Sequence, residues 1–170
     1  GTLDRPDDLL EGLKCTAVES AAELGSALQL AQPGSDVLVM AAAVADLRRD
    51  AAPPSKLAKQ DLQQALVSGW AEVPDLLSNL TRQRRPGQLV LGFSALTGSD
   101  AHLLERAESK RLAKGCDLMM VNPVDREGQG FGDQPNGGWL LGNGWSRELP
   151  VTAKLSLANQ LLDALLNARD

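Results

Sequence analysis

This sequence predicts an α/β domain with a mainly parallel sheet, helices on both faces and a C-terminal β-hairpin flap, and three observations predict it. Short apolar runs at Asp36–Ala41, Gln88–Phe93 and Asp117–Val121 read as buried strands, and helix-length segments separate them, which is the pattern of repeated βαβ units. The chain has 170 residues, the size of one domain around one main core. Residues 128–144 carry seven glycines and end in Asn143-Gly144, between Trp139-Leu140-Leu141 and Trp145, a hairpin signal of the type I′ kind. Together these imply a single three-layer, Rossmann-like domain over residues 1–170, in which 123–150 form a Gly-rich loop and hairpin.

The elements follow in order. Residues 1–13 are polar and acidic and read as a ragged start, without the basic-then-apolar order of a signal peptide. Lys14–Val18 is a candidate short strand. Ser20-Ala21-Ala22-Glu23 has the spacing of a capping box and opens a helix with Ala21, Leu24, Leu28 and Ala31 on one face. Pro33-Gly34 stops it, and Asp36–Ala41 follows as a fully buried, central parallel strand. Leu66–Trp70 is a candidate edge strand, and Pro74–Gln83 a helix with proline in its first turn. Gln88–Phe93 is the second buried strand. Asp100–Lys114 is a helix capped by Ser99 or Asp100, and Asp117–Val121 is the third strand. Ala153–Ala168 closes the chain as a helix with Leu155, Ala158, Leu162 and Leu165 at helical spacing.

Composition narrows the function classes. No apolar run approaches the ~20 residues that cross a bilayer, so a membrane protein is not expected. Seventeen Lys and Arg against twenty-two Asp and Glu leave a net charge of -5, which disfavours nucleic acid or an anionic membrane as the main partner. Any anion site must then be local. Two Phe, three Trp and no Tyr are too few to build stacking platforms for single-stranded nucleic acid. Cys15 and Cys116 match no Cys-x-x-Cys pattern and read as buried, reduced thiols in a cytoplasmic protein. A single histidine, His102, removes most triad and metal-cluster chemistry, and no protein metal site is expected.

In an open parallel sheet, ligands bind past the carboxyl ends of the strands. Past the first run, Ala41-Ala42-Ala43-Val44-Ala45-Asp46 would let a ligand approach the backbone beside a carboxylate; tight alanine packing with Asp46 as a turn residue reads equally well. Lys56 and Lys59 sit in a Pro-containing linker, either over a strand end to neutralise phosphate or merely solvated. Pro74-Asp75-Leu76-Leu77 starts a helix whose free N–H groups suit an anion, though every helix has such an end. Lys110 and Lys114 are an i, i+4 pair of like charges, which is unfavourable unless an acid or a ligand anion compensates. Phe93 is core or a ring offered to a base or sugar. Gly128-Gln129-Gly130-Phe131-Gly132 is not a dinucleotide fingerprint, because it neither follows the first strand nor opens a helix.

Seven short motifs in one order carry a resemblance. Met40-Ala41-Ala42-Ala43-Val44-Ala45-Asp46, Lys56-Leu57-Ala58-Lys59, Pro74-Asp75-Leu76-Leu77, Leu91-Gly92-Phe93, Lys110-x-x-x-Lys114, Asp117–Asn122 and Gly128-Gln129-Gly130-Phe131 resemble, in register, those of the phosphopantothenoylcysteine synthetase family, also called phosphopantothenate–cysteine ligase. The resemblance runs from about Lys14 to the C-terminus. It implies coenzyme A biosynthesis: a nucleoside triphosphate, CTP or ATP, activates 4′-phosphopantothenate as an acyl-nucleotide, cysteine attacks it, and pyrophosphate and the monophosphate leave. It further implies that Met40, Ala41, Ala42, Asp46, Lys56, Pro74, Asp75, Leu76, Leu77, Phe93, Lys110 and Lys114 line the nucleotide pocket. Lys56 is the catalytic residue in this reading, and Mg²⁺ rides on phosphate oxygens. A homodimer and a fused upstream phosphopantothenoylcysteine decarboxylase domain are the expected partners.

Three departures accompany it. Nothing before Lys14 matches the family's first strand, Gly-rich turn and asparagine segment, so the chain is expected to lack that acyl-binding unit and to be inactive alone. Val73 stands where the family has an Asn helix cap, and Leu96 where it has a Glu. The competing expectation is a non-catalytic fragment or paralogue that serves as a nucleotide-binding or dimerisation module.

Overall fold

The computed structural model describes residues 12–51, 55, 58–129, 132 and 134–168. Helix α1 (Ala21–Ala31) begins on a reciprocal capping box, in which Ser20 Oγ accepts from the Glu23 N–H and the Glu23 carboxylate accepts from the Ser20 N–H, both at 3.2 Å. A 3₁₀ turn over Gln32–Gly34 leads into β1 (Val37–Met40). An excursion follows: β2 (Leu47–Arg49), α2 (Leu62–Val67) and β3 (Trp70–Glu72), with β2 and β3 forming an antiparallel pair of their own. Then come α3 (Leu76–Arg82), β4 (Leu89–Leu96), α4 (Asp100–Lys114), β5 (Leu118–Pro123), β6 (Asn136–Gly142), β7 (Trp145–Thr152) and α5 (Lys154–Asn167).

The main sheet has the order β1-β4-β5-β6-β7. β1, β4 and β5 are parallel, and the β6–β7 hairpin continues the sheet antiparallel to β5, so the hairpin is an integral part of one sheet. Helices cover both faces. On one, Leu77 and Leu80 of α3 and Leu103 and Ala107 of α4 pack on Val90, Met119 and Val121. On the other, Leu157, Leu161 and Leu165 of α5 pack on Leu91, Met120 and Leu140. The predicted α/β class with helices on both sides is what the chain adopts. A buried amide pair ties the ends together: Gln32 Nε2 donates to Leu80 O (2.7 Å), and Gln88 Nε2 donates to Ser35 O (2.8 Å).

Several sequence expectations are corrected. Lys14–Val18 is not a strand; these residues are exposed and pair with nothing in the sheet. β1 is an edge rather than a central strand among the described residues, bonded to β4 alone, and Val39 is 42% exposed. Leu66–Trp70 is not one strand either. Val67 ends α2, Gly69 turns the chain at φ +71°, and Trp70 opens β3. The Arg49 guanidinium donates to Ala65 O and to Ser68 O (3.0 Å) and lies 5.2 Å from the Trp70 ring centroid, satisfying carbonyls at the end of α2. Pro74 lies outside α3, because Asp75 is the cap.

On α5, Leu155, Ala158 and Leu162 are exposed, and the buried stripe is Leu157, Leu161 and Leu165. The Asn143-Gly144 turn has positive φ at Gly144 alone (+77°), as in a type II turn; type I′ needs it at both residues. Of the two cysteines, Cys116 is buried but Cys15 is exposed. No helix among the described residues is long and apolar enough to cross a membrane.

Candidate functional site

β1 ends at Met40, and over the carboxyl ends of β1 and β4 opens a cleft of about 530 Å³. One wall is the segment Ala42–Asp46, whose small side chains keep the backbone approachable. It is anchored by the Val73 N–H, which donates to Asp46 O at 2.8 Å. The facing wall is the start of α3, from Val73 to Leu77, and Phe93 and Ser94 close the end. Gly92 makes this packing possible, because a Cβ there would stand 3.0 Å from Cys116 Sγ, 3.1 Å from Met119 Cε and 3.2 Å from Leu77 Cδ2.

Two cations look into the cleft from α4. Lys114 Nζ is bonded to Asp75 Oδ2 and Lys110 Nζ donates to Ser94 Oγ at 3.2 Å, so the strain expected between the two ammonium groups is relieved by separate tethers. Asp75 is also the N-cap of α3, accepting from the Ser78 N–H (3.0 Å) and Ser78 Oγ (2.6 Å). One N–H of the helix start is therefore already taken. Partial burial pushes the Asp75 carboxyl up, but the Lys114 ammonium and the Ser78 donors outweigh it and hold it below the usual aspartate range. The capping role of Asp75 also removes the concern over Val73, which is not the cap. Leu96 is 4% exposed and packs in the core of the α3 and α4 face, outside the cleft lining.

Ten of the twelve residues that the sequence assigned to the site line this one cleft. Ala41 is exposed and does not line it. Lys56 lies outside the described residues. Phe93 is half-buried: it packs on the α5-side core and also lines the cleft. The twelve omit Ala43, Val44, Ala45 and Val73, which adjoin assigned residues in the chain, and also Ser94 and Met119. Ser94 follows Phe93 at a strand end, which is a usable signal; Met119 reaches the cleft only because Gly92 stands beside it in the register, which no local motif reveals. Among the described residues no group of three or more His, Cys, Asp or Glu side chains is arranged to hold a metal ion.

Comparison with known proteins gives the same direction. Residues 4–168 match the family model described as DNA/pantothenate metabolism flavoprotein C-terminal domain. The chain is 36% identical over 162 residues to the coenzyme A biosynthesis bifunctional protein CoaBC of Mycobacterium bovis, covering 91% of this chain and 38% of the relative. To the CoaBC protein of Bacillus subtilis it is 32% identical over 165 residues, covering 96% of this chain and again 38% of the relative. It thus spans well under half the length of these relatives. Among solved structures, the C-terminal domain of CoaBC superposes with a TM-score of 0.64 at 26% identity, covering 86% of this chain and 63% of that one. The DNA/pantothenate metabolism flavoprotein from Streptococcus pneumoniae superposes at 0.66 with 16% identity, covering 90% of this chain and 70% of that one, a likeness of fold. With a family match over nearly all its length, the chain belongs to the family of DNA/pantothenate metabolism flavoprotein C-terminal domains.

Proposed function

We propose that the chain carries the nucleotide cleft of a phosphopantothenate–cysteine ligase in coenzyme A biosynthesis, which joins 4′-phosphopantothenate to L-cysteine through an acyl-nucleotide with release of pyrophosphate. The observation that carries this is the convergence of Met40, Ala42–Asp46, the start of α3, Phe93, Lys110 and Lys114 on one cleft. In that reading the base and ribose lie against the alanine-rich backbone and the Phe93 ring. Lys110 and Lys114 offset charge on the triphosphate and on the leaving pyrophosphate, which is electrostatic stabilisation rather than nucleophilic catalysis. Lys56, which lies outside the described residues, would supply a third cation in this reading. Among the described residues the only carboxylates lining the cleft are Asp46 and Asp75, and Asp75 is engaged by Lys114 and Ser78; Mg²⁺ would therefore be held mainly by phosphate oxygens, with few protein ligands. The co-substrate in this reading is CTP or ATP.

The deciding experiment is calorimetric titration with CTP and ATP, with the monophosphates as controls. Binding with Kd of ~0.1 to 1 mM, tighter for triphosphate, is expected. No detectable binding of any nucleotide would overturn the proposal. A second reading, a non-catalytic nucleotide-binding or dimerisation module, is favoured by one observation: Lys114 is already held by Asp75. Pyrophosphate release in the presence of 4′-phosphopantothenate, cysteine and Mg²⁺ separates the two. Homodimerisation through Trp139–Leu149 belongs to the same proposal, since β7 is a sheet edge with Trp145 44% exposed, and a monomer by light scattering would remove it.

A further inference from the structure

A second cleft, of about 590 Å³, opens at the other end of the sheet. It is lined by the first residues of β4 and β5, Leu89 and Leu118, whereas the nucleotide cleft lies past the carboxyl ends of β1 and β4. Its volume is in the range of small-molecule sites. Of the motif residues only Asp117 and Leu118, with the intervening Arg111 and Leu112 of the Lys110–Lys114 turn, reach it, and the proposed ligation makes no use of it.

Its chemistry is uneven in a way that packing alone does not require. Three guanidinium groups, Arg84, Arg111 and Arg147, line it against one carboxylate, Asp117, in a chain whose net charge is -5. Two of the three are fixed. Arg84 pairs with Asp117 at 2.7 Å. Arg111, 5% exposed, makes a two-pronged pair with Glu108 at 2.7 Å and donates to Cys116 O at 3.1 Å. The third is free: Arg147 has no hydrogen bond or ion pair among the described residues. It lies two residues from Trp145 on the same face of β7, the face that places Leu149 against α5.

Trp145 is the second half of the argument. Its indole lies against Gly142, where a Cβ would stand 2.3 Å from the ring, so the ring is held by the backbone beneath it while 44% of the residue remains exposed. A fixed aromatic surface beside an unpaired guanidinium, over a floor of Leu89, Leu118 and Ala164, suits a flat ring that carries a negative charge. The side-chain amides of Asn143 and Asn167 supply neutral hydrogen-bonding groups at the rim.

We infer that this cleft is a second ligand site, which takes a small planar anion: an aromatic or heteroaromatic ring bearing a carboxylate or phosphate, stacked on Trp145 and paired with Arg147. It does not rest on the nucleotide reading, and it competes with the homodimer contact proposed through Trp139–Leu149, which would cover Trp145 and Arg147. The probe is 2-naphthoate, followed by the nuclear magnetic resonance signal of the Trp145 indole N–H, assigned with Trp145→Phe, and compared with uncharged 2-naphthalenemethanol. Saturable shifts at Trp145 are expected, with affinity reduced about tenfold in Arg147→Gln and retained in Lys110→Gln, because a hydrogen bond to a charged group is worth about that factor. Arg147 is exposed, so its replacement should leave the fold intact.

Equal binding of the uncharged compound would overturn the inference by showing only an apolar hollow, as would no saturable shift up to about 10 mM. Loss of 2-naphthoate binding in Lys110→Gln would move the ligand to the nucleotide cleft and overturn it too. So would an Arg147→Gln variant that changed oligomeric state, because the surface would then be a contact between copies. Failure of nucleotide binding with an intact naphthoate response would sink the proposed function and leave this site standing.

Discussion

Asp75 and Lys114 form an ion pair that joins the N-terminus of α3 to the C-terminal turn of α4, and both residues line the cleft at the carboxyl ends of β1 and β4. The same carboxylate caps α3 through Ser78. Lys114 therefore ties down one wall of the cleft, and in the proposed function the same ammonium faces the triphosphate. Asp75→Ala should cost about 1 to 2 kcal/mol, mostly as a lost cap, since both partners are more than a third exposed and solvent screens the pair. Asp75→Asn, which can still cap, should cost no more than ~1 kcal/mol. Urea unfolding of the three proteins checks the order.

The lowered Asp75 carboxyl has a pH consequence. A group whose folded value lies below its unfolded one contributes fully above the unfolded value, and its contribution is lost as pH falls toward the folded value. Wild type should therefore lose stability relative to Asp75→Asn as pH drops below the ordinary aspartate range of about 4. A constant difference between pH 7 and pH 3 would remove Asp75 from this role.

Lys114→Gln follows from the same pair. Two like charges at i, i+4 alone would make this change neutral or slightly stabilising. With Asp75 engaged, it should instead destabilise the free protein by up to ~1 kcal/mol and weaken triphosphate binding in a salt-dependent way. Lys56→Ala should weaken triphosphate binding far more than monophosphate binding, with little change in thermal stability. Equal loss for both nucleotides would remove the phosphate role of Lys56.

The cleft was legible where its chemistry is local in sequence. Met40–Asp46 announces a strand end with small residues, and Lys110 and Lys114 announce one helical face; both need only the strand and helix periods. The tethers were not legible. The Ser94–Lys110 and Asp75–Lys114 contacts join residues from separate elements, and they depend on how α4 seats on the sheet. The same holds for α5, which carries two apolar stripes, Leu155-Ala158-Leu162 and Leu157-Leu161-Leu165. Period alone does not choose between them; the contact with Leu91, Met120 and Leu140 does. The edge position of β1 is likewise a matter of pairing, which an apolar run cannot state.

The choice of α5 stripe can be measured. Leu161 is 5% exposed and Leu162 50% exposed. Leu161→Ala should cost about 2 to 5 kcal/mol through transfer and cavity effects. Leu162→Ala should stay within about 0.5 kcal/mol in the monomer. Equal penalties by chemical denaturation would mean that the outer stripe is also packed.

Gly138 tests whether the hairpin is part of the main sheet. Its φ is +138°, and a Cβ would stand 2.0 Å from Val121 O on the neighbouring strand β5. That atom is backbone and cannot move aside without breaking the β5–β6 register. Gly138→Ala should therefore destabilise the protein by about 3 kcal/mol or more, combining backbone strain with overpacking. A shift within about 0.5 kcal/mol would mean that β6 is free to leave β5 and acts as a flap.

Ser94 gives the test of how the cleft holds its other lysine, and it rests on the nucleotide reading. Its hydroxyl is almost buried, with the residue 5% exposed, and it is the hydrogen-bond partner of Lys110 Nζ at 3.2 Å. Ser94→Ala removes that partner without removing the charge, so Lys110 samples more solvent-facing rotamers before an anion arrives. The expected result is triphosphate affinity weakened by about twofold to tenfold, the range of one ordinary hydrogen bond, with unfolding stability changed by no more than ~1 kcal/mol. Ser94→Thr keeps the hydroxyl and should restore most of the affinity if the added methyl fits. Lys110→Gln should weaken binding more than Ser94→Ala, and the double variant should be no worse than Lys110→Gln alone, because the hydroxyl acts through the ammonium. Additive losses would show that Ser94 meets the nucleotide directly, and its role would then be contact rather than positioning.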